Sequence, residues 1–245
     1  MRTVKLTIQY DGTEYYGWQK QARHPSVQQV LQEALGIVCD HKVTLHGSGR
    51  TDTGVHALGQ VAHFKTGSRV TMQQLHKGLN SMLPDDVVIL DAVEVHPDFH
   101  ARFDATARTY WYFILNAAVP SVFYRRYAWH IRKPLDIEAM RVAAAALVGV
   151  HDFSSFLARE REDVCRVREV RHARLKRVGG SLLLFEIRAT SFLRHMVRGI
   201  VGTLVETGRG KMSAADMQAV LRARDRSQAG PTAPAHGLFL KEVSY

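Results

Sequence analysis

The densest concentration of glycine and polar side chains in the 245-residue chain is Gly47-Ser48-Gly49-Arg50-Thr51-Asp52-Thr53-Gly54-Val55-His56-Ala57. Three glycines within eight residues let the backbone curve tightly enough to hold a carboxylate and a guanidinium clear of a sheet edge and toward a ligand. An aspartate in such a place can act as a nucleophile, a general base or a turn former. Gly47-x-Gly49 after a strand is half of a dinucleotide fingerprint, but the third glycine is misplaced and a strand, not a helix, is expected next. Asp52-Thr53-Gly54 also spells the tripeptide of the aspartic proteases. That chemistry needs two carboxylates sharing a proton, and the chain has no second copy of the tripeptide.

The charge balance narrows the partner. Lysine and arginine number 33 against 23 acidic residues, a formal net charge of +10 with a pI near 9.9. Such a surface favours polyanions, nucleic acid first and an acidic membrane second. With 46% apolar and 23% charged residues the composition is that of a folded globular protein, which excludes disorder, collagen and coiled coil. No segment has the ~18 consecutive apolar residues of a membrane span, and Met1–Tyr10 lacks a secretory signal's apolar core, so a cytoplasmic protein is expected. Cys39 and Cys165 stand far apart outside any Cys-x-x-Cys spacing and read as reduced structural thiols. No two of His56, His63, His100 and His195 stand at His-x-x-x-His spacing to one another, so no zinc site is expected from them.

The elements that must position the loop follow from hydrophobic periodicity. Val4–Tyr10 reads as a strand. Ser26 opens a helix with a capping box to Gln29 and a stripe at Val27, Val30, Leu31, Ala34, Leu35 and Val38. Val43–His46 and Gln60–Thr66 suit strands flanking the glycine-rich turn. Thr71 with Gln74 opens a second helix that Pro84 stops, and Val87–Val95 is the next strand. The order β-α-β-β-α-β is the ferredoxin-like split unit. A similar order recurs with strands near Arg108–Leu115 and Tyr127–Arg132, a helix from Asp136 through Leu147, and strands near Arg168–Arg177 and Ser181–Ala189. Helices near Phe192–Thr207 and Ser213–Arg224 and a last strand Gly237–Tyr245 complete it, with Gly230–Ala235 a loop. The expected fold class is α+β: two ferredoxin-like halves, residues 1–104 with the loop and residues 105–245, forming a mixed, mainly antiparallel sheet.

The loop Gly-x-Gly-Arg-Thr-Asp-x-Gly-Val-His-Ala resembles the signature of the tRNA pseudouridine synthase A (TruA) family. The resemblance extends in order through Tyr10-Asp11-Gly12 with Gly17-Trp18-Gln19, Phe99-His100-Ala101-Arg102-Phe103, and Arg108-x-Tyr110-x-Tyr112. It continues in Met196-Val197-Arg198 with Val201-Gly202, and in Gly237-Leu238-x-Leu240 with Val243-x-Tyr245. Ser48 and Thr53 stand where the family commonly has alanine, and Tyr16 where it has phenylalanine.

The resemblance implies isomerisation of uridine to pseudouridine at positions 38, 39 and 40 in the anticodon stem-loop of tRNA, without cofactor or metal, by a homodimer whose sheet carries a central active cleft between the two halves. It makes Asp52 the catalytic carboxylate, attacking C1′ or removing the C2′ proton, two paths that stay open. Arg198, at the edge of the stripe Met196, Val197, Ile200, Val201 and Leu204, is its expected cationic partner, against the alternative of a surface arginine. The resemblance points to Tyr110 for stacking on the flipped uracil or taking the C5 proton, and to Leu238 as an apolar wall, while Tyr112 and Trp111 also read as core residues. Extrusion of the base costs a few kcal/mol, and Arg50 is placed to support it. Phe99, His100, Ala101, Arg102 and Phe103 are expected RNA contacts. So are Arg168, Arg171 and His172 in the run Arg159–Arg177, which holds eight lysines or arginines against four acidic residues. The competing class is a non-catalytic RNA-binding module of two ferredoxin-like halves. A zinc deaminase would need His-x-Glu and Pro-Cys-x-x-Cys, which the chain lacks.

Overall fold

The computed structural model describes residues 1–158 and 165–245. They divide into two compact units, one of Met1–Thr106 with Phe239–Tyr245, the other of Ala107–Leu238. Both are α+β, and among the described residues no helix is long and apolar enough to cross a membrane.

The first unit contains β1 (Arg2–Tyr10), α1 (Val27–Cys39), β2 (His46–Gly47), β3 (His56–Thr66), α2 (Met72–Met82), β4 (Val87–Val95) and the C-terminal β10 (Leu238–Ser244). β1 pairs antiparallel with β3 and β4, and β10 runs parallel to β3, giving the order β4-β1-β3-β10. Chain order groups β10 with residues 105–245, whereas from Phe239 onward it lies in the first unit, with Phe239 opposite His56. The free edge of β3 is shared: β10 takes the end that begins at His56, and β2 takes His63 and Ala62.

Ser26 and residues 43–45 differ from expectation for identifiable reasons, and β3 begins at His56 rather than at the expected Gln60. Ser26 Oγ accepts from the Gln29 amide, but the Gln29 side chain donates to Glu33 at 2.9 Å, so only half the capping box forms. Both halves form at Thr71 and Gln74 on α2. Residues 43–45 are not strand, because the carbonyls of Val43 and Leu45 accept from the α1 side chains of Gln32 (3.0 Å) and Gln28 (2.8 Å). Val43 and Leu45 are nonetheless buried, as are Val27, Leu31, Ala34 and Leu35 of the helix stripe.

The second unit holds β5 (Ala107–Asn116), β6 (Trp129–Ile131), α3 (Ile137–Ala145), β7 (Gly149–Asp152), β8 (Val167–Gly179), β9 (Leu182–Ala189), α4 (Met196–Gly208) and α5 (Asp216–Ala223). Its sheet runs β5-β9-β8-β7, antiparallel throughout, with β6 added parallel to the end of β5. β7 is a four-residue edge strand whose Val150 is exposed, so it has no apolar alternation to read. The expected helix from Phe192 starts at Met196, because His195 has φ 61°, a left-handed conformation that no α-helix continues through. Every residue of α4 except Arg198 is buried. Gly202 makes this possible: a Cβ there would lie 1.6 Å from the Pro231 carbonyl oxygen, so the 230–233 segment crosses directly over the helix backbone.

Candidate active site

In the first unit Asp52 is half-buried on the link between β2 and β3, and the β1–α1 connection holds that link in place. The Trp18 amide donates to the Thr51 carbonyl at 3.1 Å, and the Gly54 amide to the Tyr15 carbonyl at 3.3 Å. Thr51 Oγ1 lies 2.8 Å from the Tyr10 hydroxyl. Gly17, at φ 84°, sits so close that a Cβ would approach the Thr51 carbonyl oxygen to 2.5 Å and the Asp52 carbonyl carbon to 3.1 Å. From the other side Gln60 on β3 accepts from Ser48 Oγ (2.7 Å) and donates to the Gly49 carbonyl (3.0 Å). Asp52 closes its own turn by accepting from the Val55 amide at 3.1 Å. The carboxylate therefore stands on a backbone tied down before and after it, which suits a group that must meet one reacting atom.

The flanks of the loop are equally fixed. His56 is buried, with Nδ1 3.0 Å from both the Gly12 amide and Asp11 Oδ1, and its ring stacks on Phe239 at 4.6 Å. Tyr15 donates to Asp86 at 2.6 Å, and burial, then Asp86, pushes its hydroxyl above the ordinary tyrosine range. Arg50 is exposed and points back to the same connection, its Nε donating to Gln19 Oε1 at 3.0 Å.

The Phe99–Phe103 segment packs on β3 through a second cluster. His63 Nδ1 accepts from the Ala101 amide at 3.1 Å, and the Ala101 carbonyl accepts from the Tyr245 hydroxyl at 2.7 Å. The rings of His46 and His100 lie 5.2 and 4.6 Å from that of His63. Burial, then the neighbouring His100 and His46, hold His63 down to about 4, so it is neutral at physiological pH. Among the described residues no group of three or more His, Cys, Asp or Glu is arranged to hold a metal ion. Ala101 is fully buried and serves as an anchor, whereas Phe103 is 73% exposed with the Arg102 guanidinium over its ring at 5.6 Å.

In the second unit Tyr110 and Tyr112 share a face of β5 with different fates. Tyr112 is fully buried, donates to the Pro234 carbonyl at 2.8 Å, and has its pKa raised by that burial. Tyr110 is half-buried, edge-on to Phe192 at 5.0 Å. Arg198 is half-buried; its Nε donates to the Ala233 carbonyl at 2.8 Å while its own carbonyl accepts from the Ala233 amide at 3.1 Å. The loop that crosses α4 thus fixes the arginine. Burial lowers the pKa of His236, and the Arg198 charge adds to the effect. Leu238 is buried at the start of β10.

The basic run is less free than its composition implies. Arg168 donates to the carbonyls of Cys165 and Val167, both at 2.7 Å. Arg171 lies 3.5 Å from Glu169, which offsets part of the charge, and His172 lies 3.0 Å from Glu186. Residues 159–164 lie outside the described part of the chain. The anchors Tyr10, Gln60 and His63 were not among the expected site residues. Only Tyr10 carried a sequence signal, as part of Tyr10-Asp11-Gly12.

A family model described as tRNA pseudouridine synthase matches residues 6–104 and 143–245. A tRNA pseudouridine synthase A of Moorella thermoacetica is 47% identical over 247 residues, covering 100% of both chains. Proteins of the same name from Thermoanaerobacter sp. and Rhodospirillum rubrum are 44% and 45% identical over all of this chain and 100% and 88% of theirs. Among solved structures a chain of a Cbf5-Nop10-Gar1 complex aligns at a TM-score of 0.38 and 12% identity, over 82% of this chain and 44% of that one. Full-length identity at this level, with the loop, the β1–α1 connection and α4 all inside the matched segments, establishes that the chain belongs to the tRNA pseudouridine synthase family.

Proposed function

We propose that the protein isomerises uridine to pseudouridine at positions 38, 39 and 40 in the anticodon stem-loop of tRNA, with Asp52 as the catalytic carboxylate. The reaction breaks the N1–C1′ bond, forms C5–C1′, removes the C5 proton and leaves a proton on N1, so it needs no redox partner. Ionised Asp52 attacks C1′ or takes the C2′ proton, and in either role its charge stabilises a sugar that becomes positive. Arg198 supplies positive charge to the catalytic group. Tyr110 stacks on the extruded uracil or takes the C5 proton, Leu238 lines the base pocket, and Arg50 supports extrusion. Arg102, Phe103, Phe99 and His100 contact the RNA, with Ala101 holding their segment in place, and Arg168, Arg171 and His172 add to the phosphate surface. A cytoplasmic homodimer acting on tRNA completes the proposal.

The observation that carries the proposal is the half-buried Asp52 on a loop fixed by Tyr10, Gly17, Trp18 and Gln60, in a chain of this family. Incubation with tRNA labelled at uridine C5 with tritium tests it directly. Wild type releases tritium, and Asp52→Asn binds tRNA without release, because the amide keeps the shape but not the anion. Appreciable release by Asp52→Asn removes the residue from catalysis, and binding without release by wild type leaves an RNA-binding protein without this chemistry. Tyr110→Phe keeps the ring, so full product yield assigns stacking alone. A variant that detaches uracil from C1′ yet retains the C5 tritium assigns the hydroxyl to C5.

A further inference from the structure

The β1–α1 connection does more than brace the Asp52 loop. It folds back on itself, with the Tyr16 amide donating to the Pro25 carbonyl at 2.9 Å and Gln21 Nε2 to the Tyr16 carbonyl at 2.8 Å. This brings the rings of Tyr16 and His24 face to face, centroids 3.9 Å apart and planes 11° from parallel. The pair is outside the core: Tyr16 is 46% exposed and His24 is also exposed. Among the described residues neither the Tyr16 hydroxyl nor the His24 ring forms a hydrogen bond. Packing into the protein therefore does not account for two aromatic rings held parallel at the surface.

Position and charge supply the account. Tyr16 precedes Gly17, whose backbone touches those of Thr51 and Asp52, so the stack is rigidly tied to the carboxylate. Lys20 and Arg23 flank it, exposed and without an ion pair among the described residues, and residues 15–25 contain no carboxylate. Arg50 joins this surface through Gln19, which also donates to Gln28 of α1 at 3.0 Å. Parallel aromatic rings beside unpaired cations match a nucleobase and its phosphates. A base inside a duplex has both faces covered, so the matching ligand is an unpaired one.

We propose that the Tyr16–His24 pair is a stacking platform for an unpaired base of the RNA next to the extruded uridine, with Lys20 and Arg23 on the adjoining phosphates. This rests on the functional reading above and adds a second point of base contact, distinct from the pocket for the target. The ring of Tyr16 carries the contact and its hydroxyl is idle.

The test combines crosslinking with binding. Asp52→Asn protein is mixed with tRNA transcripts bearing 5-iodouridine or 5-iodocytidine, irradiated, and the attached peptide mapped. The crosslink falls on Tyr16 or His24 and on a nucleotide outside the paired stem. In parallel, filter binding of unmodified tRNA weakens roughly 5- to 100-fold in Tyr16→Ala, and Tyr16→Phe restores it. Melting temperature is measured for each variant and is unchanged, because the rings are not part of the core. Lys20→Ala and Arg23→Ala each lower the logarithmic salt slope of binding by about one. Wild-type affinity and conversion rate in Tyr16→Ala overturn the platform alone, as does a Tyr16→Phe variant no better than Tyr16→Ala. Wild-type protein that neither binds tRNA nor releases tritium overturns the functional reading and the platform with it.

Discussion

Asp52 and Arg198 are both held by hydrogen bonds and close backbone contact, but in different proportion. The aspartate rides on a glycine-rich loop whose backbone is tied to its neighbours by individual hydrogen bonds, to Trp18, Tyr15, Tyr10 and Gln60. The arginine is the one half-buried position in a helix otherwise buried from Met196 to Gly208, and the 230–233 segment presses on that helix from outside. Hydrogen bonds place a group by direction and can be lost one at a time, whereas close packing places it by volume and yields only when neighbouring backbone moves. A loop built the first way keeps its fold when its tip changes. A helix built the second way passes any change into the stability of its whole unit.

The sharpest way to break this contrast is Gly202→Ala. The added methyl meets backbone, which no rotamer change relieves, so stability falls by roughly 3 kcal/mol, at the upper end for overpacking. In a protein of this size that lowers Tm by roughly 6–12 °C in calorimetry. A variant with wild-type Tm would show that the crossing segment moves aside and that volume does not fix Arg198.

Next comes Arg198→Met, which leaves the buried Ala233 carbonyl without its charged donor and costs about 1.5–3 kcal/mol in urea denaturation. Tritium release falls with it. Unchanged stability and turnover would reduce this arginine to a bystander. Gln60→Leu tests the other side of the comparison. It removes the bonds to Ser48 and Gly49, so denaturation shows a loss of about 1–2 kcal/mol, while turnover drops more than tRNA affinity because only the aim of Asp52 is disturbed. Equal losses in rate and affinity would mean that the loop binds and does not aim.

The smallest expected effect concerns His63. Its folded pKa of about 4 lies below the value near 6.5 of an exposed histidine, so the unfolded chain binds the proton first as pH falls. Its contribution to stability is whole above roughly pH 6.5 and is lost as pH drops from there to about 4. His63→Gln should therefore have a flatter stability profile than wild type across that window. Parallel profiles would show that the Ala101 contact tolerates a charged ring.

Much of this was legible in the sequence. Helix and strand order followed from periodic apolar residues, and Ser26, Thr71 and Asp136 marked helix starts where their side chains accept from the third residue on. The candidate loop stood out by its glycines. What stayed hidden depends on pairs distant in the chain, such as Tyr10 with Thr51 or Ala101 with His63, which leave no local pattern. The short β7 has no alternation, and β2 is shorter than expected because two glutamine side chains capture the carbonyls of Val43 and Leu45 just before it. The placing of β10 in the first unit is likewise a tertiary choice that chain order hides.

That placing has a consequence for synthesis. On the ribosome, His56 emerges long before Phe239, its partner across the β3–β10 ladder. At about 5–20 residues per second the interval is roughly 10–40 s, during which the His56 end of that β3 edge lacks its β10 partner. The nascent chain thus carries an open strand edge next to the Asp52 loop while all of the second unit is being made. A chaperone that shields strand edges would find its client there, and chains stalled before residue 239 should be the form of this protein most prone to aggregate.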